Sequence, residues 1–290
     1  MPTGKDDTGS MTTTTLARQR DLPPFAALLK RWRERRKYSQ LQLALDAGVS
    51  QRHLSFLESG RAQPSREMIL QLAEVLEVPL RERNELLQAA GFAAMFPQRA
   101  LENEEMDAVR QALDMMLRHH EPFPALVINR EWNLVQANAA TVRFISLLGN
   151  PDDVWRRVDP SGNRNVMRLT FHHQGMQPLI RNWDQASTLL LSRLQREAAA
   201  DPTNNALQQL CADIMAYPDV APDWTNTPWN SAPPILPLTV AAGGQALNIF
   251  SMISTFGTAL DITAEELRVE SFFPADEFSA LFFRALAAQG

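Results

Sequence analysis

The 290-residue chain is short of the features that most often announce chemistry. Cys211 is its one cysteine, which excludes an intrachain disulfide and a thiolate-rich zinc site. That scarcity suits a reducing cytoplasm, the expected location. Leu210 and Ala212 flank the thiol in a run of helical character, so it reads as a small buried hydrophobe. Long apolar runs are missing as well: the longest span only a few residues, against roughly 20 for a bilayer crossing. No secretory signal opens the chain. The first residues, MPTGKDDTGSMTTTTLARQR, are polar and Thr-rich, and a disordered leader is expected over 1–22, with Met1 and Met11 both candidate starts.

Catalytic signatures are absent too. There is no G-x-S-x-G, no Walker loop and no G-x-G-x-x-G. Two histidine pairs, His119-His120 and His172-His173, invite a metal reading. Adjacent side chains diverge on a helix or a strand, and no H-x-x-x-H spacing accompanies them, so no metal is expected. Asp261 with Glu265 and Glu266 reads as a helix start, where acids are favoured, rather than a catalytic pair. Neither catalysis nor a tightly held cofactor is expected.

What is present is an uneven charge. Residues 30–61 hold eight Lys/Arg against three acids, while residues 101–290 hold thirteen Arg against twenty-two acids. A basic head on an acidic body fits a chain whose head alone meets a polyanion, with double-stranded DNA the natural candidate.

The head is expected over 23–97 as an all-α domain of five short helices. Phe25, Leu28, Leu29 and Trp32 fall at i, i+3, i+4 and i+7, one apolar stripe. Ser39 followed by Gln42 is a capping-box spacing, and Ser50 and Ser65 are further N-cap candidates. Within SQLQLALDAGVSQRHLSFLESGR (39–61), Ala44, Gly48 and Val49 sit where two helices cross at a tight turn. Leu54 and Leu57 supply the inner side of the following helix. This spacing matches a helix-turn-helix, whose second helix enters the major groove N-terminus first. Ser50, Gln51, Arg52 and Ser55 then stand at its exposed front, with His53 within reach. Gln suits the adenine N6/N7 pair and Arg the guanine O6/N7 pair, each worth about 1–3 kcal/mol of discrimination. Gln40 is placed to meet a phosphate, and Arg36, Lys37 and Arg61 read as phosphate clamps.

After a connecting helix over 98–120, the character changes. ALVINR and LVQAN read as strands, residues 176–216 as mainly helical, and the Pro- and Trp-dense stretch 217–237 as a long loop. PILPLTVAAGGQALNIFSMIS reads as a hairpin turning at Gly243-Gly244, its second strand suited to cover on both faces. An amphipathic helix closes the chain. A separate α+β domain is expected over 121–290. Phe123, Trp132, Phe144, Phe171, Trp183, Phe250 and Phe256 would line an apolar cavity there, with Asn129, Asn138 and Arg168 as polar anchors. An ordinary packed core would use the same aromatics equally well, and the polar three would serve as structural hydrogen bonders.

The 39–61 stretch, with Pro64 after it, resembles the XRE-type helix-turn-helix of lambdoid phage repressors. FSMISTFGTALDITAEELRVESFFPAD (250–276), PALVINREWNLVQANAAT (124–141) and NRNVMRLTFHH (163–173) are similar to regulators carrying an MmyB-like domain. The likeness runs over about residues 24–287. One local departure, FHHQGMQPL, stands where the family has an acidic, Pro-containing stretch. The resemblance implies a structural rather than base-reading Glu58, and a PAS-like second domain that binds a small apolar ligand such as a fatty acid. A transcriptional regulator acting as a homodimer on a two-fold operator follows, with no membrane partner. Two rivals stay open: a body that only dimerises, and an enzyme fused to a DNA-binding head.

Overall fold

The computed structural model describes residues 24–218, 220, 235, 238–242 and 244–289. The chain divides into two compact units, Met1–Phe96 and Pro97–Gly290. The leader expected over 1–22, most of the 217–237 stretch and Gly243 of the hairpin turn lie outside the described residues.

The first unit is built from α1 (Pro24–Arg35), α2 (Gln40–Asp46), α3 (Gln51–Glu58), α4 (Arg66–Val75) and α5 (Leu80–Ala89). Three serines start three of these helices. Ser39, Ser50 and Ser65 accept hydrogen bonds from the backbone N–H of Gln42 (3.0 Å), His53 (3.1 Å) and Met68 (3.2 Å). Each such cap is worth about 1 kcal/mol. The helix ends share one device. A left-handed residue follows each helix at Lys37 (φ 59°), Gly48 (φ 62°), Gly60 (φ 69°), Glu77 (φ 47°) and Gly91 (φ 87°). The next N–H then reaches back five residues, as from Val49 to Ala44 and from Arg61 to Phe56, both 2.8 Å. These Schellman closures satisfy carbonyls that would otherwise be orphaned, and two of the five use a residue less suited to that conformation than glycine. Inside, Phe25, Leu29, Trp32, Leu43, Leu54 and Leu57 pack against Ile69, Leu72 and Leu87 as one apolar core.

The second unit runs α6 (Asp107–His119), β1 (Ala125–Ile128), β2 (Leu134–Ala137), α7 (Ala139–Ile145), α8 (Pro151–Val158) and α9 (Val166–Phe171). Then come α10 (Trp183–Ala200), α11 (Asn205–Met215), β3 (Leu238–Ala242), β4 (Gln245–Thr255), α12 (Ile262–Glu266), β5 (Arg268–Pro274) and α13 (Glu277–Ala288). The strands form one antiparallel sheet in the order β2-β1-β5-β4-β3. Register sorts its two faces. Leu126, Ile128, Ile253 and Phe272 lie on one, packed with α8, α9, α10 and α11. Ala125, Val127 and Val269 lie on the other, under Leu113 and Leu117 of α6. The helix expected as a connector is thus packed into the second unit.

One strand departs from expectation. Leu247 and Ile249 of β4 are buried, whereas Ser251, Met252, Ser254 and Thr255 are exposed. Cover on both faces does not extend along β4, because the buried side chains of α6 cluster with β1 and β5.

Candidate DNA-reading surface and candidate ligand cavity

In the head, three helices are tied by one buried carboxylate. Glu58, 5% exposed, accepts from Arg33 Nε (2.6 Å), Arg33 Nη2 (2.9 Å) and Gln40 Nε2 (2.8 Å). The pairing matters because a buried carboxylate without partners would be costly. Arg33 in turn donates to the Tyr38 carbonyl (2.9 Å), and its hydrogen bond with Glu58 raises its pKa above the ordinary arginine value. The knot sets α2 and α3 against α1.

Beyond it, the front of α3 is open. Gln51 and Arg52 are exposed and His53 and Ser55 half-buried, while the Ser50 hydroxyl caps the first turn. The Arg52 guanidinium lies 5.3 Å from the centre of the Phe56 ring. Phe56 is half-buried and stands apart from the apolar core of the head, so its ring serves as a seat for Arg52.

The flanking residues expected on phosphates divide. Gln40 has its amide N–H on Glu58. Arg36 donates to the carbonyls of Leu76 (2.8 Å) and Glu77 (2.6 Å), closing the C-terminal end of α4. Both are therefore engaged in holding the head together. Lys37 and Arg61 are exposed on the turns after α1 and α3. Nothing in the sequence marks Arg33 as a structural residue, because only the folded head turns its charge inward onto Glu58.

In the body, an apolar cavity partly open to solvent lies on one face of the sheet. Leu126 of β1, Ile249 of β4 and Phe272 of β5 form its floor. Phe144 of α7, Leu169 of α9 and Met176 wall it. Of the ten side chains expected to meet a ligand, Phe144 alone is in the wall.

The other nine do other work. Phe123 meets Phe283 edge-on, ring centres 6.2 Å apart. Asn138 caps α7 and accepts from the Ala125 N–H (3.0 Å), while its amide donates to the Phe123 carbonyl (2.8 Å). Asn129 accepts from the N–H groups of Glu131 (3.0 Å) and Asn133 (2.9 Å), shaping the turn between β1 and β2. Trp132 is buried, donates to Glu197 (2.8 Å), and is flanked by the guanidinium groups of Arg193 (4.7 Å) and Arg268 (4.9 Å). Arg168 pairs with Asp213 and lies 3.7 Å from Asp159. Phe171 and Trp183 pack together at 5.2 Å. Phe250 stacks on Phe273 at 5.4 Å on the opposite face of the sheet, and Phe256 joins the cluster under α6. The polar three are held by hydrogen-bond or ion-pair partners, and of the rings Trp132 and Phe171 are buried in the core while the others are half-buried in ring contacts and clusters.

Three of the four paired histidines have contacts in the fold. His120 Nε2 is 2.7 Å from the Phe272 carbonyl, and His172 and His173 stack at 4.4 Å. Among the described residues no three His, Cys, Asp or Glu side chains gather around a point where a metal would sit. No described helix is long and apolar enough to cross a membrane.

A capped five-helix head that presents the front of α3, followed by an antiparallel-sheet body with an apolar cavity, defines a two-domain helix-turn-helix protein. A family model for the MmyB-like transcription regulator ligand binding domain matches residues 109–286, and a helix-turn-helix model matches residues 29–83. The chain belongs to the MmyB-like family. It is 30% identical over 130 residues to a putative HTH-type transcriptional regulatory protein of Methanoculleus marisnigri, covering 42% of this chain and 41% of that protein. It is also 36% identical over 85 residues to RghRB, an uncharacterized HTH-type transcriptional regulator of Bacillus subtilis, covering 29% and 59%. The chain thus spans between two fifths and three fifths of the length of these curated relatives.

Proposed function

We propose that the chain is a ligand-responsive transcriptional regulator of the cytoplasm, binding operator DNA as a homodimer. The observation that carries the reading is the capped, solvent-facing first turn of α3, where Gln51 and Arg52 stand clear of the head's core. Their amide and guanidinium forks suit adenine and guanine edges. Lys37 and Arg61 supply phosphate contacts beside them. One small head makes few base contacts, so two heads on a two-fold site are needed for useful specificity. The body takes a small apolar molecule in the cavity beneath α7 and α9, an acyl chain being the class that the family resemblance implies. Binding there adjusts operator affinity only as far as the molecule prefers one arrangement of the body over another.

The test is fluorescence anisotropy on an operator chosen by binding-site selection, before and after apolar molecules are stripped from the purified protein. The expected result is a selected two-fold site whose affinity changes on stripping and returns on adding back the extract. Failure to enrich any site sinks the DNA reading, and an unchanged affinity together with an empty extract sinks the sensor reading.

A second reading, a body that only dimerises, draws on Met115 of α6 and Met252 of β4. Both are more than half exposed (52% and 58%), Met252 on the sheet face opposite the cavity. Under that reading, charged substitutions at these methionines abolish the dimer, and no ligand changes operator affinity.

A further inference from the structure

We propose that the cavity selects an electrically neutral apolar molecule and rejects a carboxylate of the same chain length. The inference rests on the ligand-binding reading of the body and adds the charge state of what enters.

The described lining carries no ionisable side chain. Its two hydroxyls are engaged: Thr141 donates to the Ala125 carbonyl (2.8 Å) and Thr170 to the Val166 carbonyl (2.9 Å). Cations beside Phe144 and Leu169 in sequence are paired with acids, whereas Arg181, beside Ile180, is exposed. Arg143, next to Phe144, lies 3.6 Å from Glu121, and Arg168, next to Leu169, is held by Asp213. Arg193 and Arg268 share Glu197 at 3.0 and 2.8 Å. The stretch 217–237, which leads into β3, contains no Lys, Arg or His.

A carboxyl group beside the floor offers no positive charge to an anion. Glu270 is buried on the same sheet face, directly across from Leu126 in the register and two residues from Phe272. Burial raises its pKa above the ordinary carboxylate range, against the weaker opposing pull of Ser251, Arg193 and Arg268. A carboxylate brought into this space would find low dielectric and no cation in the described lining, so it would enter protonated or not at all.

The experiment uses the full chain and three twelve-carbon probes below their micellar concentrations: dodecanoate, methyl dodecanoate and dodecanol. Titration calorimetry at pH 8 is expected to show the ester and the alcohol binding at least tenfold more tightly than the acid. The acid's affinity should rise as pH falls toward its own pKa. Leu238→Trp and Phe144→Trp, at half-buried wall positions, should each weaken the ester while thermal melting shows a folded body.

Dodecanoate binding as tightly as the ester overturns the proposal. So does a selective loss of dodecanoate binding in Arg181→Ala, since exposed Arg181 follows the lining residue Ile180 and is the nearest alternative anchor in sequence. Ester binding untouched by both tryptophan variants overturns it as well, because the site would lie elsewhere. If no neutral or charged probe from eight to sixteen carbons binds, the ligand reading itself falls, a result distinct from binding with the opposite preference.

Discussion

The two units use polar side chains in opposite ways. In the head, polar groups at the front of α3 are displayed, and the buried Glu58 exists to hold that display in place. In the body, polar groups are turned inward on one another, as around Trp132 and Asn138, and what they leave is an apolar space. A surface that reads a polyanion must present donors to water-accessible edges. A cavity that takes an apolar molecule must keep its own donors and acceptors engaged elsewhere, or water occupies it instead.

The comparison breaks most visibly at Glu58. Glu58→Ala leaves the Arg33 guanidinium, whose side chain is 11% exposed, without its buried carboxylate, Glu34 at 3.8 Å and the Tyr38 carbonyl remaining. Loss of one member of such a buried pair costs about 3–5 kcal/mol. Urea unfolding should show the head's transition moving to far lower urea while the body's stays put, and operator binding should vanish with the head.

The body counterpart is a pair of leucine truncations. Leu194→Ala, in the dense core away from the cavity, should cost about 2–5 kcal/mol. Leu169→Ala, at the cavity wall, should fall at the low end of that range, since one side of Leu169 already faces empty space. Equal losses in chemical denaturation would show that the space is filled by packing in solution.

Base reading comes next in size. Arg52→Ala and Gln51→Ala should each relax preference at one base pair by about 1–3 kcal/mol, seen as a flattened position in binding-site selection. Arg61→Ala should weaken all sequences alike and lower the salt slope by about 1. A flattened position in the Arg61 variant, or none in the α3 variants, would invert the assignment of the two surfaces.

The smallest effect separates stability from binding. Lys37 occupies a left-handed conformation that costs a non-glycine residue about 1 kcal/mol. Lys37→Gly should therefore raise the head's melting temperature while reducing DNA affinity through the lost charge. A variant weaker in both respects would mean that the lysine side chain also packs in the head.

Much of the head was legible from the chain alone. Serines at 39, 50 and 65 mark helix starts through local hydrogen bonds, and glycines at 48, 60 and 91 mark ends through local backbone freedom. Both are short-range effects, so a few neighbouring residues decide them. Lys37 and Glu77 close helices in the same manner without glycine and carry no such mark. In the body, the hairpin and the strands at 125–128 and 134–137 follow their patterns, yet the cavity wall was nearly invisible. Leu126, Leu169 and Met176 look like any core residues, and the conspicuous aromatics and polar groups went to the packed core, to turns and to caps.

By itself, the sequence determined where most helices of the head begin and end, which face of each is apolar, and that a basic head precedes an acidic body. Those properties depend on residue type and on spacing within a turn or two. Only the tertiary structure decided that Gln40 and Arg36 are engaged inside the head and that Arg33 closes on Glu58. It alone decided which side chains of the body border empty space. Long-range partners settle such questions, because a buried polar group takes whichever donor or acceptor the packing brings to it, and a void is defined only by what fails to fill it.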